Sequence, residues 1–189
     1  MKKVLTVLCL LLAASLPLAA QAGVYMGINY VQMTQDNRFG FDSDAKTFNT
    51  GELFFKLGGV INQYVSTELR AGTTAVAKKE SETAGIYTYD AKYQFNYHAG
   101  LYGKFGLPLG VFHPYILLGY TFGQEQVETF SGDCNCVEKT TGNLHDTSYG
   151  AGLDLDLGKR LGLNAEYTQY YDVGSVKFRG PSFGVYYRF

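Results

Sequence analysis

The chain has 189 residues, a formal charge of −1, and an unusual excess of 16 Tyr, 13 Phe and 23 Gly beside 4 Pro and no Trp. The balance of 16 Lys+Arg against 17 Asp+Glu excludes the basic surplus that nucleic-acid binding requires. Mean hydropathy is −0.09 and no stretch after the N-terminus approaches ~20 consecutive apolar residues, which excludes a membrane-spanning helix but not a spanning sheet, where only alternate residues face lipid.

Residues 1–22 read as a signal peptide. Lys2 and Lys3 give a basic start, an apolar run follows, and Ala20-Gln21-Ala22 is a small-residue cleavage site. Cys9 belongs to this segment and is lost with it; Leu8 before it excludes a lipoprotein signal. Cleavage after Ala22 takes 22 from 189 and leaves 167 residues, 23–189, enough for one domain, with formal charge moving from −1 to −3 as Lys2 and Lys3 go.

From there period-two alternation recurs along the chain. The runs fall at 24–32, 52–62, 65–72, 89–102, 115–122, 149–157, 161–168 and 182–189. In the longest, Tyr89, Ala91, Tyr93, Phe95, Tyr97, Ala99 and Leu101 share one face, against Asp90, Lys92, Gln94, Asn96, His98, Gly100 and Tyr102. Eight runs can close into an all-β, antiparallel up-and-down barrel. The connections alternate: short at 62–64, 106–112 and 158–160, long and polar at 34–50, 74–87 and 123–147, with a shorter fourth at 172–176. Short turns on one side and long loops on the other are the layout of an outer-membrane barrel, with both termini on the periplasmic, short-turn side.

Charge labels the faces. One carries Glu52, Lys56, Glu68, Arg70, Asp90, Lys92, Asp154, Asp156, Glu166 and Arg188, together with many of the glycines; the other is nearly all Leu, Val, Ile, Ala, Phe and Tyr. An eight-stranded barrel has a narrow interior that side chains fill, so small residues and charges are expected inside and the apolar face in lipid. Tyr30, Tyr89, Tyr120, Tyr167 and Tyr187, near run ends on the apolar face, are expected to form an interfacial girdle. The ten charges would form a lumen network, either a salt-bridged plug or a gated path in which Glu52 or Glu68 exchanges partners among Lys56, Arg70 and Arg188.

The chain ends on Phe189, in phase with Phe183, Val185 and Tyr187. This ending resembles the C-terminal signal read by the outer-membrane barrel assembly machinery. With the leader, the eight runs and the loop asymmetry, residues 23–189 resemble the small outer membrane protein beta-barrel domain superfamily, which includes the OmpA transmembrane domain and opacity-type surface proteins of Gram-negative bacteria. The resemblance implies a transmembrane barrel in the outer membrane, contact with lipid and lipopolysaccharide, assembly by that machinery, and no cofactor. It does not imply an activity.

Other sites are sparse. Cys134-Asn135-Cys136 lies in the longest connection, beside Asp133 and His145; it could pair as a tight disulfide, bind a soft metal or link to another molecule, and no second pair at zinc-ligand spacing accompanies it. A lipid A-modifying enzyme needs a nucleophile and base; the nearest approach is His145-Asp146-Thr147-Ser148, expected in a loop. His98 is expected in the lumen on the short-turn half, and His113 beside Pro114 at a turn. The expected function is structural and surface-interacting, through the loops and an unidentified extracellular ligand, without catalysis or metal. The alternatives are a narrow conduit for ions or small apolar solutes, and then a lipid A enzyme.

Overall fold

The computed structural model describes residues 23–37, 47–84, 87–131, 136–174 and 176–189; the leader expected over 1–22 lies outside them. The strands are β1 (Val24–Asn37), β2 (Thr47–Asn62), β3 (Val65–Val76), β4 (Lys78–Ala84), β5 (Tyr87–Gly106), β6 (Phe112–Ser131), β7 (Cys136–Asp156), β8 (Leu161–Val173) and β9 (Val176–Arg188). Each pairs antiparallel with its sequence neighbour from β4 onward and from β1 to β3. β1 also pairs with β9, and β3 with β5, which closes the sheet. β3 and β4 act as one stave interrupted at Ala77: β3 pairs with the lower part of β5 (Val65↔Phe105 to Gly72↔His98) and β4 with the upper part (Lys78↔Tyr93 to Ala84↔Tyr87). The result is an eight-stave barrel.

Over most of its wall the barrel has the polarity expected. Phe55, Ile116, Leu118, Val185 and Phe183 point outward and are exposed, whereas Glu52, Lys56, Glu68, Arg70 and Glu166 are buried inside. Part of the Tyr and Gly excess is explained by cross-strand pairs within the lumen. Tyr25 faces Gly58, Tyr102 faces Gly119, Tyr115 faces Gly152 and Tyr186 faces Gly162. A Cβ on Gly58 would lie 2.1 Å from the Tyr25 ring, and one on Gly162 2.2 Å from the Tyr186 ring. Each glycine therefore supplies the space into which a neighbouring ring folds, and the ring covers backbone that the glycine leaves bare.

The long connections are mostly not loops, which corrects the sequence reading. The segment expected as a loop over 123–147 is strand on both sides, paired from Gly123↔Leu144 to Ser131↔Cys136. The connection expected over 74–87 contains β4, and those at 34–50 and 172–176 are shortened by β1, β2, β8 and β9. These stretches carry polar residues on both faces, so the alternation that marks a half-buried strand is lost although the ladder continues.

In this extended part the wall inverts. A register shift leaves Asn96 unpaired on β5, between the pairs Phe95↔Glu125 and Tyr97↔Gln124. Below it Tyr97 and Leu101 face out; above it Phe95 is buried inside. A second shift leaves Tyr170 unpaired on β8, between Gln169↔Arg179 and Tyr171↔Phe178, so that Tyr170 and Tyr171 both point inward. Such bulges change which face of a strand looks inward. They assemble an apolar interior from Val31, Met33, Phe54, Phe95, Tyr170, Tyr171 and Phe178, with Leu144 and Val176 against it. This apolar layer lies where the outer band ends, at the foot of the paired strands that project beyond it.

Candidate functional site

The lumen is stacked in tiers. Its centre is Glu166 on β8, whose carboxylate accepts Arg70 Nη1 on Oε1 at 2.6 Å and Arg70 Nη2 on Oε2 at 2.8 Å. Tyr115 (2.9 Å) and Thr168 (2.6 Å) also donate to it. Arg70 turns its Nε and Nη2 to Glu68 Oε2 at 2.8 and 2.6 Å, and its guanidinium lies over the Tyr102 ring, 4.6 Å from the centroid. Glu68 Oε1 accepts from Tyr25 at 2.6 Å. Lys56 reaches Glu166 at 3.4 Å. The side chains of Glu68, Arg70 and Glu166 are at most 1% exposed, so every charge of this cluster depends on its partners rather than on water. Beside it, Tyr102 is hydrogen-bonded to Thr121, Thr121 to Ser148 at 2.6 Å, and Ser148 donates to the Tyr170 carbonyl at 2.9 Å.

Toward the short turns lies Lys104, whose Nζ is bonded to Asp154 Oδ2, is 3.6 Å from Glu68 Oε1 and stands 3.9 Å over the Tyr115 ring. A cavity of about 320 Å³ opens from this mouth and reaches Tyr25, Lys104, Tyr115 and Asp154. Arg188 pairs with Asp156 at 2.7 Å at the rim, where His113 is 3.6 Å from the same Asp156 oxygen.

Toward the projection, Glu52 accepts from Thr50 (3.0 Å) and Thr74 (2.8 Å) on Oε1. Its Oε2 faces His98 Nε2 at 3.5 Å, and neither atom completes a hydrogen bond. His98 Nδ1 shares a 2.9 Å hydrogen bond with Tyr171, and its ring packs 4.0 Å from that of Phe95. His98 therefore sits in the half nearer the projection, under the aromatic layer, not in the short-turn half expected. Tyr171→Phe should strip His98 of that bond inside an apolar shell and lower stability by about 1–3 kcal/mol, read as the urea midpoint of the folded band on unheated gels; an unchanged midpoint would show that the bond contributes nothing net.

Of the ten charges expected in the lumen, Glu52, Lys56, Glu68, Arg70, Asp154 and Glu166 are buried there, and Asp156 and Arg188 stand at its mouth. Lys92 does not belong: the Asn96 bulge reverses the phase of β5, and Lys92 pairs with Glu128 (3.6 Å) on the outer face of the projection. The side chain of Asp90 lies outside the described residues. Lys104 is an eleventh charge, buried in the lumen; it lies two residues beyond the alternating run at 89–102, in the same phase as Tyr102, so the alternation extended to it is its signal in the sequence. Glu128 also binds Lys139 at 2.7 Å, and that hydrogen bond, with the charge behind it, holds the Glu128 carboxyl below the usual carboxylate range.

Phe183, Val185, Tyr187 and Phe189 are exposed on the outer face. Tyr30, Tyr120, Tyr167 and Tyr187 also point outward, joined by Tyr97 and Tyr149; Tyr89 lies above the bulge, and its side chain is outside the described residues. His145 is on β7 rather than in a loop, opposite Phe122 on the outer face, with Nδ1 2.9 Å from the Tyr120 hydroxyl. Thr147 donates to Asp146 Oδ1 at 3.3 Å. Cys134, and the side chain of Cys136, lie outside the described residues.

The family model described as "Outer membrane protein beta-barrel domain" matches residues 5–189. Among solved structures, the chain is similar to Ail, the attachment invasion locus protein of Yersinia pestis, in complex with the heparin analogue sucrose octasulfate: TM-score 0.61, 18% identity, 89% of this chain and 99% of that one. It is also similar to Neisserial surface protein A (TM-score 0.58, 13% identity, 88% and 97%) and to outer membrane protein OprG of Pseudomonas aeruginosa (TM-score 0.53, 12% identity, 89% and 96%). At these identities the likeness shows the fold. No curated protein matches the chain.

Proposed function

Because the chain belongs to the outer membrane protein beta-barrel domain family and is a transmembrane β-barrel of the outer membrane, we propose that it is a non-conducting envelope barrel whose work is done by its projection, an extracellular platform for surface contacts. The observation that carries this reading is the lumen. The Glu68–Arg70–Glu166 cluster is shut off from water, and the aromatic layer stands between it and the extracellular side. The cavity at the periplasmic mouth stops against Lys104, Tyr115 and Asp154. Opening a path would expose several paired charges and pull apart a packed aromatic layer together, which disfavours exchange of partners as a gate.

The projection, in contrast, is built to present a surface. β5, β6 and β7 stay paired far beyond the outer band, and at the base of this extension Phe95 on β5 and Leu144 on β7 join the internal apolar layer, so the surface is held by a continuous ladder anchored at its foot. Outer-face Phe183, Val185, Tyr187 and Phe189 serve as the assembly signal, and the apolar band contacts lipid and lipopolysaccharide. Catalysis is no part of the reading: the His145 ring is engaged by Tyr120, and the Thr147 hydroxyl turns to Asp146 rather than to His145.

The test is single-protein recording in planar bilayers. The wild-type barrel should give a flat trace, and so should Glu68→Gln. Discrete current steps in wild type that change with Glu68→Gln would replace the platform reading by the conduit.

A further inference from the structure

At the opposite end from the projection, we infer that the cavity in the periplasmic mouth is a binding site for a small amphiphilic anion, a carboxylate carried on a hydrocarbon chain. The cavity holds about 320 Å³, at the small end of the range for ligand pockets. Lys104 and Asp154 lie at its inner end, Arg188 and His113 at its rim, and Tyr64, Val65, Leu107 and Pro108 around its lip.

What this cavity offers a ligand is positive charge. Asp154 gives Oδ2 to Lys104, and its Oδ1 is closed off from solvent. Asp156 spends Oδ1 on the Tyr186 hydroxyl at 2.6 Å and Oδ2 on Arg188 at 2.7 Å. Both carboxylates are thus occupied or covered, and the cations are not. Arg188 gives two of its five N–H groups to Asp156 and Tyr186, and its side chain is 32% exposed against 16% for Asp156. His113 turns Nδ1 toward Asp156, which leaves Nε2 without a partner among the described residues. A carboxylate at the rim meets the unspent side of a planar guanidinium, the geometry that suits it best.

The tyrosines do not select the occupant. Tyr25, Tyr115 and Tyr186 each lie against a glycine, at 58, 152 and 162. Each also has a cation over its ring: Lys104 is 5.7 Å from the Tyr25 centroid and 3.9 Å from that of Tyr115, and Arg188 is 5.0 Å from that of Tyr186. Their faces are covered, so a sugar or an aromatic ring has nothing to stack on. Apolar contact is available at the lip instead, where Leu107 is 58% exposed and Tyr64 49%. A short alkyl chain leaving the rim covers them and loses apolar surface of its own. An inorganic anion would leave the lip unused, and an uncharged chain would leave the Arg188 N–H groups unmatched. The cavity opens inside the ring of strands, toward the periplasm, so its occupant is a dissolved amphiphile and not a lipid of the bilayer. It ends on Lys104, Tyr115 and Asp154, so the ligand is held there and not passed on.

The probe is octanoate, titrated into the full barrel refolded in phosphocholine detergent and followed by NMR through the backbone amides of Ser66, Gly106 and Leu107. Octanoate should move these amides saturably and leave that of Thr121, deep in the lumen, where it is. Acetate has the charge without the chain and octanol the chain without the charge, and each should bind about tenfold more weakly or worse. Arg188→Gln should weaken octanoate about tenfold, the loss of a hydrogen bond to a charged group, and leave octanol unchanged. Leu107→Ser, in an exposed turn and outside every ion pair, should weaken octanoate about threefold and leave acetate unchanged. Heat-modifiable migration shows which variants are folded, and Leu107→Ser reads the site even where Arg188→Gln does not assemble. The inference is overturned if octanol matches octanoate, if the shifts spread over the whole barrel as partition into detergent would spread them, or if either folded variant keeps wild-type affinity. The platform reading is tested separately: current steps in the bilayer would remove it and leave this site to its own titration.

Discussion

Arg70→Met is expected to destabilise the barrel by about 3–5 kcal/mol, the range found when one partner of a buried ion network is removed. The loss comes less from the bonds broken than from what they leave behind. Arg70 makes two hydrogen bonds to Glu68 and two to Glu166. Without it, two carboxylates share the lumen with Lys56, Lys104 and hydroxyl groups alone. Methionine fills most of the volume and can still lie against the Tyr102 ring, so packing is nearly conserved and the measurement isolates charge. Arg70→Lys should fall between, losing about 1–2 kcal/mol, because a single ammonium cannot replace a planar fork that binds two carboxylates at once. Adding Glu68→Gln and Glu166→Gln to Arg70→Met should recover most of the loss, since neutral amides can share the site with the hydroxyls. The readout is the urea midpoint of the heat-modifiable folded band in vesicles. A wild-type midpoint for Arg70→Met would mean that the cluster contributes nothing net to stability.

Gly180→Ala is expected to be worse still. A Cβ at Gly180 would lie 1.9 Å from the Gln32 carbonyl oxygen and 3.3 Å from Met33 Cα. Both are backbone atoms of β1, and neither can step aside by changing a rotamer. The site is also the seam at which the barrel closes. Between β1 and β9 the ladder runs from Tyr25↔Arg188 to Val31↔Ser182 and resumes only at Thr34↔Arg179. The gap falls at Gly180 and Pro181, and Pro181 has no N–H to give. The two strands pass closely without pairing, so a methyl group inserted there wedges open a seam that already lacks a rung. A loss of about 4 kcal/mol or more follows, in the range kept for forced backbone shifts, with most of the protein failing to reach the folded band. Gly142→Ala is the matched control. Nothing lies within 4 Å of its Cβ position, and alanine there should be neutral or slightly stabilising. Equal folding yields for the two variants would remove the steric argument.

Where the outer wall touches an apolar medium, the sequence was easy to read. Leu53, Phe55 and Leu57 on β2, or Phe183, Val185 and Tyr187 on β9, alternate with lumen residues because two solvents pull neighbouring side chains in opposite directions. Beyond that band the pull weakens, since a polar residue can face water on either side, and β4 with its Lys-Lys-Glu-Ser-Glu start looks like any solvated loop. The most instructive error is on β5. Tyr89 to Leu101 alternates without a break in the sequence, yet it is two strands in one. Asn96 costs the ladder one residue, and the same apolar phase that meets lipid at Tyr97 turns inward at Phe95. Nothing in the spacing marks this, because both halves are apolar every second residue. Unbroken alternation puts Lys92 in the lumen, whereas the bulge turns it outward into a row with Glu128 and Lys139. The Tyr–Gly pairs were legible as composition and as faces, but which ring covers which glycine depends on register, which alternation alone leaves open.

The bulges at Asn96 and Tyr170 have a consequence for depth. On either side of them the wall is made for a different medium, so they fix how far the barrel can sink or rise in a bilayer. A thicker membrane would pull Gln124 and Asn143 toward hydrocarbon, and a thinner one would leave Tyr97 and Phe122 bare in water. With the turn at 107–111 as the opposite limit, the molecule carries its own gauge of bilayer thickness, and a mismatch is met by tilt of the barrel or by local thinning or thickening of the lipid around it.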